Sequence, residues 1–113
     1  MKDYTAVRHY LQWIPTRIRV LQNFSENDSS MEVMYYTELY KNIREWGKSH
    51  VLFYKFIMGK MTMAELLPIF GCEERTFYRI MKTQKDDLIK FIQEQETILD
   101  KKYPFVEFNM GEV

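Results

Sequence analysis

The chain has one cysteine, three prolines and four glycines among 113 residues, and its sixteen basic and sixteen acidic side chains cancel. Each shortage excludes something. A single cysteine forbids an intrachain disulfide, and one Cys with two His falls short of a four-ligand structural zinc site. The scarcity of Gly and Pro argues against low-complexity chain. Zero net charge rules out a globally basic nucleic-acid coat, so any such binding must use a local patch. No stretch approaches the roughly eighteen apolar residues of a membrane span, and Met1-Lys2-Asp3-Tyr4 lacks the apolar run of a signal peptide. The expectation is a soluble, cytoplasmic protein of a reducing compartment, with no metal, no cofactor and no membrane partner. In that setting the sequon Asn27-Asp28-Ser29 is an accident of sequence.

Apolar and aromatic residues are plentiful instead, at 46% and 16%, which argues against general disorder. Area scaling for a chain of this size buries about two-thirds of the unfolded surface, enough for a core without staples. The pattern is helical throughout, and it divides one compact all-α domain into three parts. These are an N-terminal helical hairpin over 1–48, a helix-turn-helix module over 49–85, and a long C-terminal amphipathic helix with a tail over 86–113.

In the first part Asp3 is placed to cap a helix that sets Tyr10, Trp13 and Ile14 on one side. Pro15 predicts a kink or a new segment, after which Ile18, Leu21 and Phe24 continue the stripe. The run 25–30 is polar and rich in turn formers, and Ser29-x-x-Glu32 reads as a capping box. Val33, Tyr36, Leu39, Tyr40, Ile43 and Trp46 follow at three- and four-residue steps, with Gly47 placed as the stop. Helical periodicity alone explains this aromatic stripe as core. A short buried helix is expected over 49–58, ending at Gly59.

The next segment carries the most information. Thr62-Met63-Ala64-Glu65 is a second capping box, followed by apolar Leu66, Leu67 and Phe70 and then Gly71. A second helix follows with Phe77, Ile80 and Met81 inward, so the order is helix, tight glycine turn, helix. Gly71 suits a reversal that passes through positive φ, and apolar Cys72 can tuck between the helices. Held this way, the second helix turns Glu74, Arg75, Tyr78, Arg79 and Lys82 outward, where its N-terminal half would enter a major groove. Three positions depart from the usual unit. Pro68 predicts an early end or a kink, Leu67 stands where a small residue is usual, and Glu73 occupies a cap position that favours Ser or Thr.

Phe56-Ile57-Met58-Gly59-Lys60-Met61-Thr62, Ala64-Glu65-Leu66-Leu67, Phe70-Gly71-Cys72 and Thr76-Phe77-Tyr78-Arg79 together resemble the DNA-binding helix-turn-helix of sigma factor region four. The layout is similar to small phage transcriptional regulators of the ArpU/RinA type. The resemblance implies that Arg75, Thr76, Tyr78, Arg79 and Lys82 lie on a recognition helix. It also implies double-stranded DNA as partner, with RNA polymerase as a candidate tether.

Charge bears on how such a module would work. From Lys60 to Lys90 there are six basic and five acidic residues, a net of +1. Three or four phosphate contacts from Arg75, Arg79, Lys82 and Lys85 would give one copy weak, salt-sensitive binding. A useful reader must then be dimeric or tethered, and Arg75 or Arg79 would supply the bidentate guanine contact. Arg17-x-Arg19 is the only other basic pair that stands out, and two charges signify little. Beyond the module, Leu88, Ile89, Ile92, Ile98 and Leu99, with Phe91 nearby, mark a long helix ended by Tyr103-Pro104. Its apolar face could meet a second copy, giving a homodimer, or pack back on the N-terminal pair. The tail Phe105 to Val113 reads as a strand-like arm or a mobile end.

Enzymatic chemistry is not expected. His9 and His50 stand singly, Cys72 has no neighbouring His in sequence, and no glycine-rich phosphate loop is present. The function read from sequence is therefore a sequence-specific DNA-binding transcriptional regulator of phage or prophage type. The alternatives are a protein-interaction or dimerisation module and a phage DNA-packaging recognition subunit.

Overall fold

A computed structural model describes residues 3–24 and 30–104. Among them are five helices and no strand: α1 (Tyr4–Phe24), α2 (Ser30–Lys48), α3 (Val51–Ile57), α4 (Met63–Phe70) and α5 (Glu74–Lys102). The polar run 25–29, with its capping-box residue Ser29, and the tail 105–113 lie outside the described residues.

Asp3 caps α1 as its position suggests, its Oδ1 accepting from the Ala6 N–H at 2.7 Å. Pro15 does not open a new segment: α1 runs through it as one helix. An interior proline costs about 3 kcal/mol. Val7, Leu11 and Ile14 are essentially fully buried on the same helix, and each is worth about 1.5–3 kcal/mol. Burial wins. The stripe is also shifted from the one expected, since Val7 and Leu11 replace Trp13, which is exposed.

Contacts descend α1 as they climb α2, from Arg17–Glu32 at 3.2 Å to the edge-to-face rings of Trp13 and Tyr36 at 5.4 Å. That order is the order of an antiparallel pair. Leu39 and Ile43 form the buried face of α2 with Tyr35, a residue outside the expected stripe, while Tyr36, Tyr40 and Trp46 pack at its margins. Gly47 is not the stop. It lies inside α2, where an added Cβ would meet the Tyr54 ring of α3 at 2.7 Å. The glycine lets α3 approach; it does not end the helix.

The glycine that does end a helix here is Gly59, at φ 74°. Its N–H donates to the carbonyl of Phe56 at 3.0 Å and that of Lys60 to the carbonyl of Lys55 at 2.8 Å, the two bonds of a Schellman motif. Arg8 of α1 clamps the same end, its Nε donating to the carbonyl of Ile57 at 2.6 Å. A cation there suits the negative end of the helix dipole.

Helix α5 is the spine. Its 29 residues span about 44 Å, most of the 51 Å long axis of the molecule. It is continuous across 85–86, where the sequence reading divided the chain. Its first half carries α4 and its second half lies along α2, joined by Asn42–Gln95 at 2.8 Å and Lys102–Glu38 at 2.8 Å. Tyr103 closes it as the C-cap, its hydroxyl donating to Glu38 at 2.8 Å. Phe77, Met81, Leu88, Ile92 and Leu99 join residues of all the other helices in one core.

Where α1, α2 and α5 meet, tyrosines face carboxylates. Tyr10 hydrogen-bonds Glu96 and Tyr35 hydrogen-bonds Asp100, while Asp100 Oδ1 is buried without a partner among the described residues. Burial and the neighbouring acids hold both phenols well above the ordinary tyrosine range. Burial, then the charge of Asp100, also raises the pKa of Glu96 above its usual 4.5, against the opposing pull of the Tyr10 hydrogen bond. A carboxyl with a raised folded pKa stabilises the fold below its unfolded pKa and loses that contribution as pH rises through the folded value. Glu96→Gln, which still accepts from Tyr10, should therefore raise the melting temperature at pH 7. The gain should vanish below the unfolded value of 4.5. Thermal melts at neutral and acid pH check this, and an equal gain at both would contradict it.

Candidate nucleic-acid interface

The unit α4–turn–α5 is built from local bonds before any long-range packing. Thr62 Oγ1 accepts from the Glu65 N–H at 3.3 Å, and the Thr62 N–H donates to Glu65 Oε1 at 3.1 Å, completing the capping box. Leu66 then anchors α4 in the core, while Leu67 and Phe70 pack at its edge. Pro68 neither ends the helix early nor is buried; α4 runs on to Phe70. Its missing N–H leaves the Ala64 carbonyl without that helical bond, and Ala64 is exposed to water.

Gly71 sits in the left-handed region at φ 63°, ψ 35°, its N–H donating to the carbonyl of Leu67 at 2.9 Å. Nothing lies within 4 Å of an added Cβ, so backbone conformation rather than space requires glycine here. Cys72 is half-buried against the core, as expected. Glu73 takes the N-cap position of α5 with extended backbone, but its side chain makes no capping bond. Three residues, 71–73, thus reverse the chain.

Phe77 then fixes the rotation of α5. It is fully buried, its ring edge-to-face with Phe56 at 5.3 Å and with Phe70 at 5.9 Å. With Phe77 inward, Arg75, Tyr78, Arg79 and Lys82 all turn to solvent. Arg75, Arg79 and Lys82 occupy one stripe at steps of four and three, about 10 Å long. Among the described residues neither arginine enters an ion pair, while Lys82 lies 3.7 Å from Asp86 with both side chains exposed. Such a surface pair is worth about 0–1 kcal/mol and yields readily to a stronger anion. Glu73 and Glu74 oppose anions at the start of the helix.

Two of the six expected contact residues are placed differently. Thr76 is half-buried at the edge of the stripe. Lys85 turns inward: it is only 9% exposed, and its Nζ stands 4.9 Å above the Tyr4 ring. The signal was in the spacing, since Met81, Lys85, Leu88 and Ile92 form the buried four-three-four stripe of α5. Lys85 secures α1 against α5 rather than extending the outward face. Sequence reasoning also passed over Ile69, 56% exposed on α4 because it falls outside the Leu66–Leu67–Phe70 stripe.

His50 is a core-edge residue, its ring stacked on Trp46 at 3.8 Å and its Nδ1 3.0 Å from the Trp46 carbonyl. Among the described residues no three His, Cys, Asp or Glu side chains gather as metal ligands would. No helix among them is long and apolar enough to cross a membrane. Compared with protein-family models, with curated proteins and with solved structures, the chain matches none significantly.

Proposed function

We propose that the protein is a duplex-DNA-binding transcriptional regulator of phage or prophage type, reading the major groove with the N-terminal half of α5. The observation that carries this reading is the exposed stripe Arg75–Arg79–Lys82, held outward by buried Phe77 behind a three-residue turn that opens on left-handed Gly71. A major groove about 12 Å wide admits a helix presented in this way. In this reading Arg75 or Arg79 supplies the bidentate guanine contact, and Lys82 a phosphate contact.

Three cations are few for one copy, so affinity must come from a tether or from further contacts. RNA polymerase is the tether that the sigma-like pattern suggests. A homodimer through the C-terminal helix has less to recommend it, because Leu88, Ile92 and Leu99 are already buried within the chain. Ile98, at 57% exposure, is what remains outward of that apolar set.

Fluorescence anisotropy with a labelled duplex tests the reading. Arg79→Ala should weaken binding by about 1–3 kcal/mol and relax specificity at one position, whereas Lys82→Ala should weaken all sequences alike. Absence of duplex binding at any salt would point to a protein-interaction module. Sedimentation as a large ring would point to a packaging subunit.

A further inference from the structure

A second positive surface lies away from the outward face of α5, on α2. Lys41, Arg44 and Lys48 project from one face of α2 at three- and four-residue steps, and all are exposed. They border two adjoining hollows of about 250 and 360 Å3 that share Arg44 and Lys48. The first hollow is also lined by Lys55 and Lys60. The Schellman turn at Gly59 brings these two together, since the Lys60 N–H bonds the Lys55 carbonyl at 2.8 Å. The floor exists because Gly47 lets the Tyr54 ring lie against α2.

Five cations line these hollows against one carboxylate, Glu45, a local charge of 5 − 1 = +4 in a chain whose net charge is zero. Glu45 is itself held by Lys48 at 2.9 Å. That hydrogen bond lowers its pKa, and the charges of Lys48, Lys41 and Arg44 act in the same direction, so their fields converge there. Arg44 lies over the Tyr40 ring at 5.7 Å. Among the described residues no carboxylate pairs with Lys41, Arg44, Lys55 or Lys60.

We infer that this groove is a second nucleic-acid contact, a sequence-independent seat for the phosphodiester backbone of duplex DNA. The inference rests on the DNA-binding reading of α5 and supplies the contacts which that face lacks. Lys41, Arg44 and Lys48 lie along about 10 Å of one helix face, a cationic row that can follow the charged phosphate backbone without reading a base. The groove fixes no base; it adds affinity and salt dependence.

The test compares three proteins on one labelled mixed-sequence duplex. They are wild type, Lys41→Gln/Arg44→Gln/Lys48→Gln, and the control Arg19→Gln/Lys90→Gln/Lys101→Gln, which removes equal charge from exposed sites elsewhere. The groove variant should lose about 2.7 units of salt slope, so that wild type's advantage over it shrinks by about 40-fold between 50 and 200 mM salt. The control should keep nearly the wild-type slope. An unchanged slope in the groove variant, with Arg79→Ala still damaging, would overturn this inference and leave the α5 reading standing. No duplex binding by wild type would overturn both. Loss of binding to anionic lipid vesicles, with duplex binding unchanged, would reassign the groove to membranes and overturn it too.

Discussion

Phe77→Ala is expected to lower unfolding free energy by about 3–5 kcal/mol, the range for truncating a buried aromatic side chain. The side chain is fully buried and touches three other rings, Phe56, Phe70 and Tyr78. It therefore joins α3, α4 and the first turn of α5 at one point. Collapse cannot fill the gap easily, because each neighbouring ring is held by its own helix. Domains of this size are stable by about 5–15 kcal/mol in total, so the variant would lose a large fraction of its reserve. Urea denaturation measures the loss. A cost under about 1 kcal/mol would mean that Phe77 does not set the rotation of α5.

Gly47→Ala pits two effects against each other. In a helix interior Ala is favoured over Gly by about 1 kcal/mol. Here the new methyl would stand 2.7 Å from Tyr54 Cδ2 and 3.0 Å from Cγ. A clash at Cγ cannot be relieved by spinning the ring; the whole side chain or α3 must shift. Overpacking of this kind costs about 1–3 kcal/mol, so a net loss of up to about 2 kcal/mol is expected after the propensity gain. The sign should reverse when the ring is removed. Gly47→Ala made in a Tyr54→Ala background is expected to stabilise, and the double-mutant cycle isolates the contact. Destabilisation of equal size in both backgrounds would contradict the packing account.

These two residues also show what sequence could and could not supply. The capping box at Thr62, the left-handed Gly71 and the inward Phe77 were legible because each depends on residues within a few positions of each other. Gly47 was not, because the ring it accommodates belongs to the next helix. Pro15 and Pro68 were read by their local penalty, which burial of Val7, Leu11 and Ile14 outweighs in α1 and water offsets in α4. Lys85 was judged by its charge, although its spacing put it on the buried stripe above Tyr4. The groove of α2 and α3 was invisible for a different reason. Its cations are interleaved with Glu38 and Glu45 along the chain, and only the fold draws Lys55 and Lys60 beside Arg44.

The outward stripe of α5 is the central claim, and amide NMR with a mixed-sequence duplex tests it most directly. At low salt the account predicts shifts concentrated on Arg75, Tyr78, Arg79 and Lys82, fading as salt rises to physiological strength. Additional shifts along Lys41, Arg44 and Lys48 would report the backbone groove. A spectrum in which those α5 amides stay unmoved at low salt, wherever else shifts appear, would contradict the account.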